Sequence, residues 1–199
     1  MAVRGGGARR GGRVHAGGGA GGSLVVCGAA RVGRRSIVNR RTAVAVAFAP
    51  SLLLGALGIV WWWLAPPDLA PRMGLFPSML AGLVVAVGLL AAASWLERRL
   101  PSFRFVTRRT EWALRRLALP CGPAMVLAVL TSLGEEILFR GVLLHIVGLV
   151  PQAVLFGLLH PAGRRGWSYP VFTAFSGLLL GALVLGTGRL APAVLAHVV

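Results

Sequence analysis

The ionisable side chains most able to do chemistry lie in the last third of the chain, within apolar sequence. Glu135 and Glu136, two of only five acidic residues, are adjacent in the segment SLGEEILFRG, and His160 and His197 follow in apolar stretches. Ionisable groups inside long apolar segments are costly and rarely occur there without a partner or a function. A carboxylate beside an imidazole can activate water. These residues therefore predict a buried hydrolytic site in a membrane protein.

The two adjacent acids are expected to differ in role. On a helix, Glu136 and Arg140 are four residues apart with the acid first, which is the favourable order for an ion pair. Glu135 is rotated by about 100° from Glu136, so it has no partner within its own helix. Desolvation of such a carboxylate favours its uptake of a proton, which suits a general base. Two alternatives are a structural ion pair beside a protonated acid, and a proton relay in a transporter.

Composition places these residues in a membrane protein. Hydrophobic residues make up 56% of the 199 residues and charged residues only 13%. The net charge of +16 comes from arginines, which flank the apolar spans. This arrangement predicts membrane orientation, with membrane lipids as partners, and we expect no nucleic-acid partner. Two cysteines are too few for a disulfide framework or a metal knuckle, so we interpret Cys27 and Cys121 as free thiols.

Hydrophobic segments predict an all-α, polytopic transmembrane bundle with about five full spans and a truncated sixth. A disordered, Arg/Gly-rich tail at 1–41 would precede two transmembrane helices and a basic cytoplasmic loop at 42–119, and 120–199 would form the third region. The basic residues predict a multi-pass protein of the cell membrane with a cytoplasmic amino terminus. The second basic region, 96–119, is interpreted by default as a solvated positive-inside loop, part of which would lie flat as an interfacial helix; a specific lipid or protein site is the alternative. The spans and the sixth helix are predicted at 42–64, 73–95, 121–148, 149–160, 169–185 and 190–199.

The predicted spans also place the three candidate groups at similar depth. At 1.5 Å per residue, Glu135 lies about 9 Å, His197 about 10 Å and His160 about 16 Å below the outer edge of the hydrocarbon layer. Any one of them alone would be interpreted as a satisfied core residue. Three groups at compatible depth predict a shared site.

The motifs resemble those of a known family. Glu135-Glu136-x-x-x-Arg140-Gly141, Phe156-x-x-x-His160 and the late His197 in LAPAVLAH are similar to the motifs of the CPBP intramembrane proteases. That family includes the type II CAAX prenyl endopeptidases and the Abi proteins. The resemblance covers about residues 120–199. In the family an asparagine or aspartate follows the last histidine by four positions, which would fall at 201, so the chain is expected to be truncated at its carboxyl terminus.

The resemblance implies a function and a set of roles. Glu135 and His160 would activate the attacking water, and His197 would stabilise the oxyanion or bind a metal. Glu136, Arg140 and Phe156 would support the site. If the reaction is metal-dependent, Glu135, His160 and His197 would hold a divalent ion such as zinc; a metal-free glutamate mechanism is the alternative.

The expected activity is endopeptidase hydrolysis of a membrane-associated peptide or protein. The rival functions are an inactive relative acting as an immunity or scaffold membrane protein, and a proton-coupled transporter.

Overall fold

A computed structural model describes residues 40–67, 69–117 and 119–198, with side chains from Phe48 onward. The described residues form helices and no strand, which confirms the predicted all-α class for this part of the chain. The predicted disordered tail falls almost entirely in residues 1–39, outside the described residues.

Eight α-helices, one π-helical segment and one 3-10 turn make up the described chain. They are α1 (Arg40–Leu64), α2 (Leu75–Arg99), α3 (Pro101–Leu117), α4 (Cys121–Glu136), the π-helical segment Ile137–Leu143, α5 (Leu144–Val147), α6 (Leu149–Leu158), the 3-10 turn Arg164–Gly166, α7 (Ser168–Thr187) and α8 (Ala191–Val198). The predicted boundary at Gly148 is present, because this residue has a φ of 86° and ends α5. Glycine adopts this conformation without the steric cost that a side chain brings.

Three local expectations are wrong. The helix that carries the acids is not regular, because Ile137–Leu143 is wound as a π-helix directly after Glu136. His160 is not part of the helix before it, since α6 ends at Leu158. The residue before a proline is disfavoured in the α conformation, and Pro161 follows His160. Cys121 is disulfide-bonded rather than a free thiol, and Cys27 lies outside the described residues.

Two helices of the described chain are long and apolar enough to cross a membrane by length and composition, α2 and α7. Shorter apolar stretches are Phe48–Leu64, the part of α1 with described side chains, and Leu149–Leu158, which is α6. Only 17% of the most apolar window of α2 is buried inside the protein, so most of its apolar side chains face outward. The prediction of five full spans and a sixth remains a prediction.

Helices α1 and α4 cross at a glycine of each helix, Gly55 and Gly134. A methyl group added at Gly55 would lie 2.8 Å from the Cα atom of Gly134, so the two backbones are in contact. Small residues allow such close approach between helices in membranes. Ser51 lies one turn before Gly55, and Glu135 follows Gly134. The crossing therefore brings a hydroxyl from α1 to the first acid of α4.

The core of the bundle lies between α2, α7 and α8. Its buried apolar side chains are Ala86, Leu144, Leu180, Leu183, Val184, Ala193 and Ala196. The backbone of α8 approaches α2 at Pro192, whose carbonyl oxygen would lie 2.6 Å from a methyl group at Gly82. This contact fixes the short α8, and with it His197, against the long α2.

Candidate active site

Glu135, His160 and His197 come together from three separate elements. The Nε2 atom of His160 and the Nε2 atom of His197 each lie 3.8 Å from Oε2 of Glu135. Glu135 is on the last turn of α4, His160 follows α6 and His197 is near the end of α8. The three residues that the sequence predicts to share a site are therefore neighbours in space. Their roles in a reaction remain predictions.

His160 is held by the end of the helix that precedes it. Its Nδ1 atom lies 2.7 Å from the carbonyl oxygen of Phe156, in the last turn of α6. A carbonyl oxygen only accepts hydrogen bonds, so Nδ1 carries the proton and donates. The last carbonyls of a helix have no partner within the helix, and this bond satisfies one of them. In the neutral imidazole, Nε2 is then the acceptor, and it faces Glu135.

His197 is held by the second acid. Its Nδ1 atom lies 2.8 Å from Oε1 of Glu136, so Nδ1 donates to the carboxylate. The same oxygen accepts a hydrogen bond from Nη1 of Arg140 at 2.7 Å, and the side chains of Glu136 and Arg140 are both fully buried. The predicted ion pair is therefore present. Glu136 joins the arginine to the histidine and directs Nε2 of His197 toward Glu135.

The ring of Phe156 contacts the guanidinium of Arg140 and the rings of both histidines. The guanidinium carbon of Arg140 lies 4.2 Å from the centre of its ring. The rings of His160 and His197 have their centres 4.7 Å and 5.8 Å from it. A cation over an aromatic face is stabilised by the ring quadrupole. The buried ring thus packs against three polar groups at once, and its supporting role stays a prediction.

A mostly apolar cavity of about 220 Å³ adjoins the two histidines. Its walls come from α2 and α7, and they include Ala86, Leu89, Leu90, Ala93, Phe172, Thr173, Ser176 and Leu180. The hydroxyls of Thr173 and Ser176 donate to helix carbonyls of Tyr169 and Phe172, each at 2.9 Å. The polar groups that the cavity offers are therefore chiefly the imidazoles and the phenol of Tyr169.

Two polar residues near the site were not predicted from the sequence. Ser51 of α1 donates its Oγ proton to Oε1 of Glu135 at 2.9 Å. Tyr169, the single tyrosine of the chain, lines the cavity with its ring centre 6.5 Å from that of His160. The position of Ser51, a polar residue inside an apolar span, could have marked it as a candidate. Its spacing does not show that it contacts Glu135, which lies 84 residues later in the sequence. The contact depends on how α1 crosses α4.

We expect Ser51→Ala to lower kcat of the proposed peptide cleavage about tenfold with little change in KM, because a hydrogen bond to a charged group contributes roughly 1.5–3 kcal/mol. Loss of the bond frees Glu135 to rotate away from the histidines. Ser78→Ala is the matched control, since its buried hydroxyl lies on α2 and donates to the carbonyl of Gly74, the residue that precedes this helix. Ser51→Thr keeps a hydroxyl and should restore activity. Equal kcat in Ser51→Ala and Ser78→Ala would contradict a positioning role.

The donor atoms at the site, two imidazole nitrogens and a carboxylate, are those of many zinc sites. Within the described residues, however, no group of three or more His, Cys, Asp or Glu residues has a geometry that could hold a metal ion. The predicted metal alternative remains a prediction.

Comparison with known proteins gives one match, to the carboxy-terminal part of the chain. Residues 118–199 match a family model described as type II CAAX prenyl endopeptidase Rce1-like. No curated protein and no solved structure matches the chain. The match confirms the resemblance predicted from the motifs and contains Glu135, His160 and His197, while Ser51 lies outside it. The family is one of membrane-embedded proteases, which together with the two apolar helices supports a membrane location.

Proposed function

We propose that the protein, whose residues 118–199 match the Rce1-like family model, is a multi-pass intramembrane endopeptidase. Its substrate is a membrane-associated peptide or protein. The observation that supports this proposal best is the convergence of one carboxylate and two imidazole nitrogens beside an apolar cavity. A carboxylate within reach of a water molecule is a general base, and its neighbours can orient that water.

Glu135 is the general base in this proposal. Its carboxylate takes a proton from water while the water oxygen attacks the carbonyl carbon of the peptide bond. Nε2 of His160, an acceptor in the neutral ring, takes a hydrogen bond from the same water and orients it. When the carbon–nitrogen bond breaks, the proton held by Glu135 passes to the leaving amine. One water is consumed, and the products are a carboxylic acid and an amine, which exchange a proton to give the carboxylate and the ammonium ion.

His197 stabilises the negative charge that develops on the carbonyl oxygen. In its protonated form it donates from Nε2 to the oxyanion, and preorganised donors of this kind contribute strongly to catalysis of acyl transfer. Glu136 accepts from Nδ1 and holds the ring so that Nε2 points toward the site, as the acid of a catalytic triad orients its histidine. Arg140 fixes Glu136 in this position from the opposite side.

The cavity favours an apolar part of the substrate. Its walls are aliphatic and aromatic, and the two hydroxyls in them are already bonded to helix carbonyls. Its volume of about 220 Å³ lies below the roughly 300–1,000 Å³ of pockets that hold whole drug-sized ligands. The cavity therefore suits apolar side chains next to the scissile bond. An extended peptide within the membrane would place such side chains there.

The proposed activity is tested with the protein purified in detergent and a mixture of apolar peptides, with new termini identified by mass spectrometry. We expect cleavage by the unmodified protein and its loss in both Glu135→Ala and His160→Ala. Thermal unfolding of each variant would check that the fold is retained. Equal cleavage by all three proteins would contradict the proposal.

A further inference from the structure

Helix α3 has one face buried in the protein. Phe103 and Val106 are 2% and 9% exposed. The ring of Phe103 lies against Phe172, with centres 5.3 Å apart and an edge-to-face geometry, and against Tyr169 at 6.0 Å. The fold therefore fixes which side of α3 faces outward.

The opposite face of α3 carries a stripe of arginines and aromatic rings. At 100° per residue, Arg108 and Trp112 lie on the far side of the helix from Phe103 and Val106, and the other members of the stripe lie to either side of them. We define the basic–aromatic stripe as Arg104, Phe105, Arg108, Arg109, Trp112 and Arg116. With the exception of Arg104 these side chains are exposed, and Arg104, Phe105, Arg108, Arg109 and Trp112 line one shallow groove. The stripe is thus a continuous outer surface.

Most of the positive charge of the stripe is not neutralised by the described protein. Arg104 is engaged, because it donates to the carbonyl oxygens of Glu97 and Arg98 at the end of α2. The guanidinium carbon of Arg116 lies 3.8 Å from the centre of the Trp112 ring, and no carboxylate among the described residues forms an ion pair with Arg116. No carboxylate of the described residues forms an ion pair with Arg108 or Arg109. The helix as a whole has five arginines and one glutamate.

The position of the stripe in the fold indicates which kind of partner it binds. Helix α3 begins two residues after the end of α2, which is long and apolar enough to cross a membrane. The stripe therefore lies where that helix would leave the hydrocarbon layer. Aromatic rings are enriched at this level, and clustered arginines are attracted to anionic lipids there. We propose that the basic–aromatic stripe of α3 is a docking surface for the headgroups of anionic phospholipids.

Lipid bound here would anchor the wall of the candidate active site. The buried face of α3 contacts the first turns of α7, where the hydroxyls of Ser102 and Ser168 are 2.7 Å apart and Tyr169 lines the cavity. Val106 lies against Gly166 in the 3-10 turn that follows the His160 segment. Docking of the outer face thus sets the height of the cavity relative to the bilayer surface.

The test uses the full chain in vesicles that contain phosphatidylcholine and phosphatidylglycerol, with bromine on the acyl chains of only one of the two lipids. Bromine quenches nearby tryptophan, and the signal of Trp112 is the difference between the protein and its Trp112→Phe variant. We expect brominated phosphatidylglycerol to be enriched at Trp112 by roughly fivefold, the ratio that one arginine near an anionic surface provides. The enrichment should vanish toward about 1 M salt, where the Debye length is about 3 Å.

Charge variants distinguish lipid binding at this surface from a general effect of the net charge of the protein. Arg108→Gln should lower the enrichment and Arg108→Gln with Arg109→Gln should abolish it. Arg72→Gln, an exposed arginine before the opposite end of α2, should leave it unchanged. Equal quenching by the two brominated lipids, or equal effects of Arg72→Gln and Arg108→Gln, would overturn the proposal. Loss of the enrichment on adding soluble RNA or inorganic phosphate at low salt would also overturn it, since the surface would then prefer a soluble anion.

Discussion

Replacement of Glu135 by glutamine is expected to lower kcat of peptide cleavage about a thousandfold, within the range that general base catalysis contributes. The amide keeps the size of the side chain and can still accept the hydrogen bond from Ser51. It cannot take a proton from water. Because the cavity walls and both histidines are unchanged, KM should change little. Steady-state cleavage of a fluorogenic apolar peptide in detergent measures both constants.

The matched control for this variant is Glu97→Gln. Glu97 lies near the end of α2, and its carboxylate accepts a hydrogen bond from Thr107 on α3 rather than facing the histidines. Its replacement should leave kcat unchanged. A Glu135→Gln protein that cleaves as fast as the Glu97→Gln protein would remove Glu135 from the chemistry.

Arg140→Met is expected to lower the free energy of unfolding by about 3–5 kcal/mol, the usual cost of leaving one partner of a buried ion pair uncompensated. Both side chains of the pair are fully buried and joined at 2.7 Å. Without the guanidinium, the charge of Glu136 would be matched only by His197. Chemical denaturation in mixed micelles measures the loss. Arg72→Met, a change of the same kind at an exposed arginine, should shift stability by less than about 0.5 kcal/mol.

Removal of both partners should separate stability from activity. The double variant Glu136→Met with Arg140→Met is expected to recover most of the stability, because apolar replacement of a whole buried pair is often neutral. One oxygen of Glu136 and two nitrogens of Arg140 lack hydrogen-bond partners in the described protein, so the pair is incompletely compensated. Cleavage should stay low, since His197 loses its acceptor. A double variant less stable than Arg140→Met would contradict this account of the pair.

Much of the candidate site could be predicted from local sequence. The Glu136–Arg140 pair follows from a spacing of four residues, and that spacing brings the side chains together even though the helix widens after Glu136. The structure brings Glu135, His160 and His197 together, as their positions in apolar sequence predict. The ion pair was predictable because residues four apart share one face of a helix, whereas the depths of the three groups in a membrane stay predictions.

The remaining features depend on contacts between distant segments. The hydrogen bond from Ser51 to Glu135 exists because two glycines let α1 and α4 touch. The bond from His197 to Glu136 depends on α8 lying against α2. The π-helical turn has no sequence signal that distinguishes it from a regular helix, and it lies beside the acids as such turns often do at functional sites.

The most direct test of water activation at Glu135 is a single turnover in water enriched in oxygen-18, with protein in excess over an apolar peptide. We predict one oxygen-18 atom in each new carboxylate from the first turnover, and no detectable product from Glu135→Gln over the same time. A first-turnover product without oxygen-18 would contradict the account, because the attacking oxygen would then come from the protein. Product formation by Glu135→Gln at the unmodified rate would contradict it equally.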